Sequence, residues 1–300
     1  MKLSPTDLEQ LHALAIETAA FAGKHIQNRV GNHGETLSKN AGNTLASQVV
    51  TEVDLESEQL ILAALKESTL QYQLGVLTEE TEDDSSRLEA DYFWCIDPID
   101  GTLPFTEGVS GYCVSIALVA KDGTPVIGAV QDPVTGRLYH ALKGGGIFVN
   151  GEPLPKISAG SPSHLTWAMD RSMNGTSYFP QLQVEMKKLA TELGLAGLKI
   201  YDQFGSVLNA CQVTNREPSV YFKFPKAEQG GGSIWDFAAT ACLFYEWERP
   251  VSDIHGEKLD LNPKGSTFMN QKGALYASGE ILAEKVMEIH RDFVERGLAV

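Results

Sequence analysis

Asp97-Pro98-Ile99-Asp100-Gly101-Thr102 places two carboxylates three positions apart on a turn stiffened by Pro98. Tyr92-Phe93-Trp94-Cys95-Ile96 precedes it, a short continuous aromatic run that reads as a buried strand. A strand ending at Asp97 can point both acids into one pocket. Gly101 lets the backbone come close to a ligand, and Thr102 adds a hydroxyl. Oxygen-only donors of this kind suit Mg2+, a small hard cation. Taken alone, the hexapeptide could equally be an Asp-rich turn whose carboxylates cap backbone groups. Its place after a hydrophobic strand, and the acidic elements elsewhere in the chain, favour the metal.

Two more carboxylate sources stand apart from it. Thr78-Glu79-Glu80 follows the apolar run Leu74-Gly75-Val76-Leu77, although Glu82, Asp83 and Asp84 come next and a solvated acidic loop is the plainer reading of that stretch by itself. Trp235-Asp236 follows Gln229-Gly230-Gly231-Gly232-Ser233 and opens an apolar helix. There the Asp either caps the helix or offers a carboxylate to a metal beside an N-terminus that favours phosphate. Other chemistries lack their signatures. No G-x-x-x-x-G-K-[ST] loop, H-E-x-x-H pair, G-x-S-x-G elbow or Cys-x-x-Cys pair occurs.

These residues need a scaffold that brings distant segments together. The capping pattern Ser4-Pro5-Thr6-Asp7 starts a helix over residues 6–27, and Thr51-Glu52-Val53-Asp54 starts a second that runs to about Ser68. Between them, Gly31 to Asn43 reads as a flexible loop; it holds Lys39 and is placed to close over the site. Residues 47–50 read as a short strand. Strands are expected at 92–96, 113–120, 125–130, 137–142 and 146–149, with a hairpin at Lys121-Asp122-Gly123-Thr124. Further on, helices at 180–194, 205–213 and 235–246 alternate with strands near 198–202, 219–224 and 273–278. A last helix carries Leu282, Val286, Ile289 and Phe293. The pattern predicts layered α+β packing with a soft boundary near residue 155, giving halves at 1–155 and 156–300.

With 300 residues, 43% apolar and 21% charged, the chain is long enough to bury a large core. Its net charge of −15 repels polyanions, so neither a nucleic-acid polymer nor an anionic membrane is an expected partner. A small phosphorylated metabolite would be repelled too, unless bound cations reverse the local sign. The four cysteines, Cys95, Cys113, Cys211 and Cys242, sit in apolar runs and read as reduced core thiols. No signal-peptide pattern or membrane-length apolar run is present, and a cytoplasmic location is the expectation.

Together, Glu79-Glu80, Asp97 to Thr102 and Trp235-Asp236, with Thr51 and Asp54 upstream, resemble the inositol monophosphatase superfamily of metal-dependent, typically lithium-sensitive phosphatases over roughly residues 6–295. The resemblance implies the layered αβαβα sandwich and two or three Mg2+ ions per site. Glu79, Asp97 and the Ile99 carbonyl would hold one metal, and Asp97, Asp100 and Asp236 a second. Thr102 and Asp54 would pair and, with Glu79, orient and deprotonate the attacking water. Gly101 and Thr102 amides would receive the phosphate, with Asp236 also near the substrate. Both homodimers and monomers fit the resemblance.

Within the superfamily, Thr106-Glu107-Gly108, Gly205-Ser206-Val207-Leu208, Asp253-Ile254-His255-Gly256 and Phe268-Met269-Asn270 resemble the 3′(2′),5′-bisphosphate nucleotidase branch, with Ser206 at phosphate or sugar. Leu103 and Asn209 stand where that branch often carries Lys. Glu246-Trp247-Glu248-Arg249 replaces an E-A-G-G turn, with Glu246 at a position that contacts substrate hydroxyls in the inositol branch. The first expectation is therefore hydrolysis of 3′-phosphoadenosine 5′-phosphate to AMP and phosphate. An inositol or other sugar phosphatase is the alternative, and a non-catalytic metal or phosphate sensor the alternative of another class.

Overall fold

The computed structural model describes residues 2–31, 36–38, 49–154 and 163–299. Helix α1 (Pro5–Arg29) begins at the expected capping box, where the Asp7 N–H donates to Ser4 Oγ at 3.2 Å. Strands β1 (Thr36–Ser38) and β2 (Val49–Thr51) pair antiparallel, Thr36 opposite Thr51. Part of the expected Gly31–Asn43 loop is thus a strand, since a ladder partner outweighs its polar composition. Lys39 lies outside the described residues, as does the boundary near residue 155. Helix α2 (Glu52–Tyr72) is capped by Thr51, one turn longer than expected.

A seven-stranded sheet follows, in the order β3 (Gly75–Thr78), β4 (Tyr92–Asp100), β5 (Cys113–Ala120), β6 (Pro125–Gln131), β7 (Leu138–Leu142), β8 (Ile147–Val149) and β9 (Glu152–Pro153). The β3–β4 pair is parallel and the others antiparallel. Short helices α3 (Ser86–Glu89) and α4 (Thr102–Thr106) flank β4. The second half supplies β10 (His164–Ala168), α5 (Phe179–Glu192), β11 (Gly197–Tyr201), α6 (Ser206–Thr214), β12 (Ser219–Lys223), α7 (Ile234–Glu246), β13 (Val251–Ser252), β14 (Ala274–Ala277) and α8 (Glu280–Glu295). Its strands form a five-stranded sheet in the order β11-β10-β12-β14-β13. The sequence reading did not mark β10, whose alternating Leu165 and Trp167 are its only signal.

Alternation along the strands explains the layering. On β4, Trp94 and Ile96 pack under α1 and α2, while Phe93 and Cys95 face the opposite way into a core shared with α6 and α7. On β12, Tyr221 joins that same central core, and Val220 and Phe222 pack under α5 and α8. The layers therefore run helix, sheet, helix, sheet, helix: the αβαβα sandwich. Apolar burial of the largest side chains, each about 1.5–3 kcal/mol, holds them together; Trp94, Trp167, Tyr221, Tyr276 and Phe244 are fully enclosed. All four cysteines are buried and unbonded. No described helix is long and apolar enough to cross a membrane.

Candidate active site

Side chains three apart on a regular strand point to opposite faces. Asp97 and Asp100 do not, because the ladder is irregular between them: Asp97 pairs with Ser115 and Asp100 with Cys113, three steps on β4 against two on β5. The extra residue is a bulge, a setting that tolerates Pro98. It lets carboxylate oxygens of Asp97, Asp100 and Asp236 lie within 4.8 Å of one another.

Each acid is set by a different element. Asp97 is 1% exposed, and its Oδ1 has no hydrogen-bond partner. Asp100 accepts from the N–H groups of Ser206 (3.1 Å) and Val207 (2.8 Å) at the start of α6, where the helix dipole favours a negative charge. A side chain on Gly205 would sit 2.3 Å from Asp100 Oδ2, so the carboxylate needs that position bare. Asp236 lies in the first turn of α7 and accepts from the Ser233 N–H at 2.6 Å, so capping and convergence on the site coexist. Glu79 follows β3, whose Thr78 is in register with Ile96, which sets Glu79 alongside Asp97; the two share a hydrogen bond.

Asp54 links helix α2 to the turn after β4. Its Oδ2 accepts from the Thr51 N–H at 2.8 Å, and its Oδ1 accepts from Thr102 Oγ1 at 3.1 Å. The Ile99 carbonyl faces the same hydroxyl at 3.3 Å. Gly101 has φ +89°, and a Cβ there would lie 2.5 Å from the Gly111 carbonyl oxygen, so the turn requires glycine twice over.

The acids burden one another. Burial, then repulsion from Glu79, Asp100 and Asp236, pushes the Asp97 carboxyl well above the usual range. Asp100 is raised well above it by burial and by Asp236. Burial likewise lifts Asp54 and Asp236 to about 6, against lowering by Thr51 for the first and by Lys223 for the second. A cluster of buried oxygen donors, short of positive charge and with one carboxylate oxygen unpartnered, fits hard divalent cations.

Further support comes from residues the sequence reading missed. Lys223 Nζ lies 2.7 Å from Asp170 Oδ2 and donates to Ser206 Oγ at 2.8 Å and to the Gly231 carbonyl at 2.7 Å. Asp170 Oδ1 accepts from Tyr221 (3.0 Å) and from Asn209 (3.2 Å). Thus Lys223, from β12, delivers to Ser206 a cation that position 209 lacks. Asp170 lies two residues beyond the buried strand β10, whereas Asp97 stands inside β4, which runs on to Asp100 instead of ending at Asp97; Lys223 is the one charge in Ser219–Phe224. Each residue could be marked singly, but not their pairing. A cleft of about 490 Å³ opens beside this group, with Tyr178, Phe224, Phe237, Met269, Lys223 and Lys226 among its walls.

The structure does not bring Glu246 to the site. It ends α7, ten residues and roughly 15 Å from Asp236, and its Oε2 accepts from the Gly146 N–H at 2.9 Å. Trp247 packs edge-on against Phe244 at 5.5 Å, and Glu248, at φ +54°, supplies the left-handed residue that glycine would otherwise provide.

The profile of the inositol monophosphatase family matches residues 7–293. Among known proteins, inositol monophosphatase 2 of Solanum lycopersicum is 30% identical over 86% of this chain and 92% of its own. A 3′(2′),5′-bisphosphate nucleotidase 1 of Candida albicans is 27% identical over 68% of this chain and 62% of its own. The solved IMPase TM1415 of Thermotoga maritima shares the fold with TM-score 0.73 at 20% identity, covering 96% of this chain and 99% of its own.

Proposed function

The chain belongs to the inositol monophosphatase family of metal-dependent phosphatases, and within it we propose that the substrate is a 3′(2′),5′-bisphosphate nucleotide, 3′-phosphoadenosine 5′-phosphate being hydrolysed to AMP and phosphate. The carrying observation is the cleft beside Asp170 and Lys223, the pair that reaches the site through Ser206; its aromatic walls Tyr178, Phe224 and Phe237 suit a base and its Lys226 suits a second anionic group.

In this reading Glu79, Asp97, Asp100, Asp236 and the Ile99 carbonyl hold two or three Mg2+ ions. When bound, these supply positive charge for the phosphate and its leaving oxygen and lower the pKa of water. The rest falls to the chain. Thr102, its proton directed at Asp54, presents oxygen lone pairs to the attacking water. Asp54, raised to about 6, is poised to hold a proton near neutral pH. Glu79 orients the same water. Gly101 and Thr102 open α4, where the first N–H groups have no acceptor within the helix, and these receive the phosphate together with Ser206; Asp236 stands near the substrate as a metal ligand, not as a phosphate donor. Lithium inhibition belongs to the same reading.

A second reading, hydrolysis of an inositol or sugar phosphate, is favoured by the tomato relative. Phosphate release from 3′-phosphoadenosine 5′-phosphate and from inositol 1-phosphate, with Mg2+ and with Asp97→Asn as the blank, separates the two. We expect at least a tenfold preference for the nucleotide; preference for inositol 1-phosphate overturns that assignment and leaves the phosphatase chemistry standing.

A further inference from the structure

Glu79 emerges from β3 into a turn with no helix or ladder to hold it, yet it must meet Asp97. The turn is instead gripped by a carboxyl from another element. Glu58, 5% exposed on α2, accepts from Thr78 Oγ1 at 2.8 Å and from the Glu80 N–H at 3.2 Å through one oxygen, and from Thr81 Oγ1 at 2.9 Å through the other. The first two groups flank Glu79 on either side, and the third lies two residues beyond it.

Glu58 sits four residues after Asp54, one turn along the same helix, so both side chains leave the same face. Asp54 holds the turn after β4 through Thr102; Glu58 holds the turn after β3. One rigid helix therefore sets the spacing between the two acidic turns. Helical rise fixes the two anchors about 6 Å apart along the axis.

We propose that Glu58 is a positioning residue for the cation that Glu79 and Asp97 would hold: it sets where the Glu79 carboxylate stands and touches neither metal nor substrate itself. This rests on the metal reading above. Such indexing matters because a small hard cation demands near-ideal ligand placement, and losing an outer partner of a ligand typically costs 10–100-fold in metal affinity. The glutamine isostere keeps the arrangement. Its carbonyl accepts from Thr78 and Glu80, and its amide donates to the Thr81 hydroxyl, which can accept.

The test is Mn2+ binding to the substrate-free protein, followed by the electron paramagnetic resonance signal of the free ion, in wild type, Glu58→Ala, Glu58→Gln and Thr81→Ala. Glu58→Ala should bind its tightest Mn2+ at least tenfold more weakly than wild type, Glu58→Gln within about threefold, and Thr81→Ala severalfold more weakly. Activity should follow the same order: the Mg2+ concentration for half-maximal rate rises, while KM for substrate at saturating Mg2+ changes less than about twofold. Should Glu58→Ala not fold, Thr81→Ala and Glu58→Gln still decide. Unchanged Mn2+ affinity in a folded Glu58→Ala or in Thr81→Ala, with only a lower Tm, overturns the positioning role alone. Wild type that binds no Mn2+ overturns the metal reading and the proposal with it.

Discussion

Asp97 should weaken the metal-free protein that contains it. It lies with oxygens of Asp100 and Asp236 inside a 4.8 Å cluster, buried, with Oδ1 unpartnered. At an effective dielectric constant of about 20, each ionised pair at that distance costs about 3.5 kcal/mol. The upward shift of the Asp97 carboxyl means that part of this cost is already avoided by taking up a proton. Asp97→Asn removes the remainder and gives neighbouring carboxylates an amide donor. A net gain of about 1–3 kcal/mol follows, roughly 2–6 °C in Tm for a chain of this size. Thermal melts at neutral pH, in chelator and in excess Mg2+, read it directly. Wild type should be the less stable protein in chelator and recover in Mg2+, where a ligand at a hundredfold its Kd adds about 2.7 kcal/mol. The variant should start higher, respond little to Mg2+ and lose turnover. If Asp97→Asn melts lower than wild type in chelator, the claim that these acids oppose one another in the fold is refuted.

Two further outcomes follow from the geometry. Gly205→Ala has an allowed backbone, since φ there is −63°, but its Cβ would meet Asp100 Oδ2 at 2.3 Å. Displacing that carboxylate from the Ser206 and Val207 N–H groups should cost about 2–4 kcal/mol in chemical denaturation and weaken Mg2+ activation at least tenfold; a variant indistinguishable from wild type would show that Asp100 needs no such seat. His12 Nε2 and His140 Nδ1 lie 3.1 Å apart, and burial followed by the neighbouring His140 lowers His12 to about 4. Between pH 6.5 and 4 the unfolded chain therefore takes up a proton that the folded chain refuses, and stability falls as pH falls. Relative to His12→Phe, wild type should lose about 2–3 kcal/mol across that window; parallel pH curves for the two proteins would contradict the shift.

How much of this was readable beforehand depends on the distance over which each signal acts. Asp97 and Asp100 announced themselves because their context is local: a hydrophobic run, a proline and a glycine within ten residues. Asp54 and Asp236 came with capping patterns that are equally local, and both turned out to cap and to converge. The Glu58 grip on the turn after β3 joins residues twenty or more positions apart, and the Lys223–Asp170 pair joins the end of β12 to the segment just beyond β10. Neither has a periodicity that a linear reading detects. Glu246 fails for the complementary reason: the helix expected over 235–246 already set it at the far end from Asp236, and aligning a short stretch ignored that length. The bulge on β4 lay between the two, since Pro98 hinted at it and only the ladder with β5 reveals its effect.

The central helix layer has a consequence for how the chain can be divided. The seven-stranded sheet is built wholly from residues 75–153, yet α6 and α7, which cover its inner face, come from residues 206–246. A fragment ending at Leu154 would leave Phe93, Cys95, Ala117, Val119 and Val130 uncovered, an apolar face that needs its missing half. The carboxylates are divided in the same way, with Asp97 and Asp100 on one piece and Asp236 on the other. Two co-expressed fragments would thus recover phosphate release only on joining, and the protein lends itself to use as a split enzyme whose turnover reports the reunion of its parts.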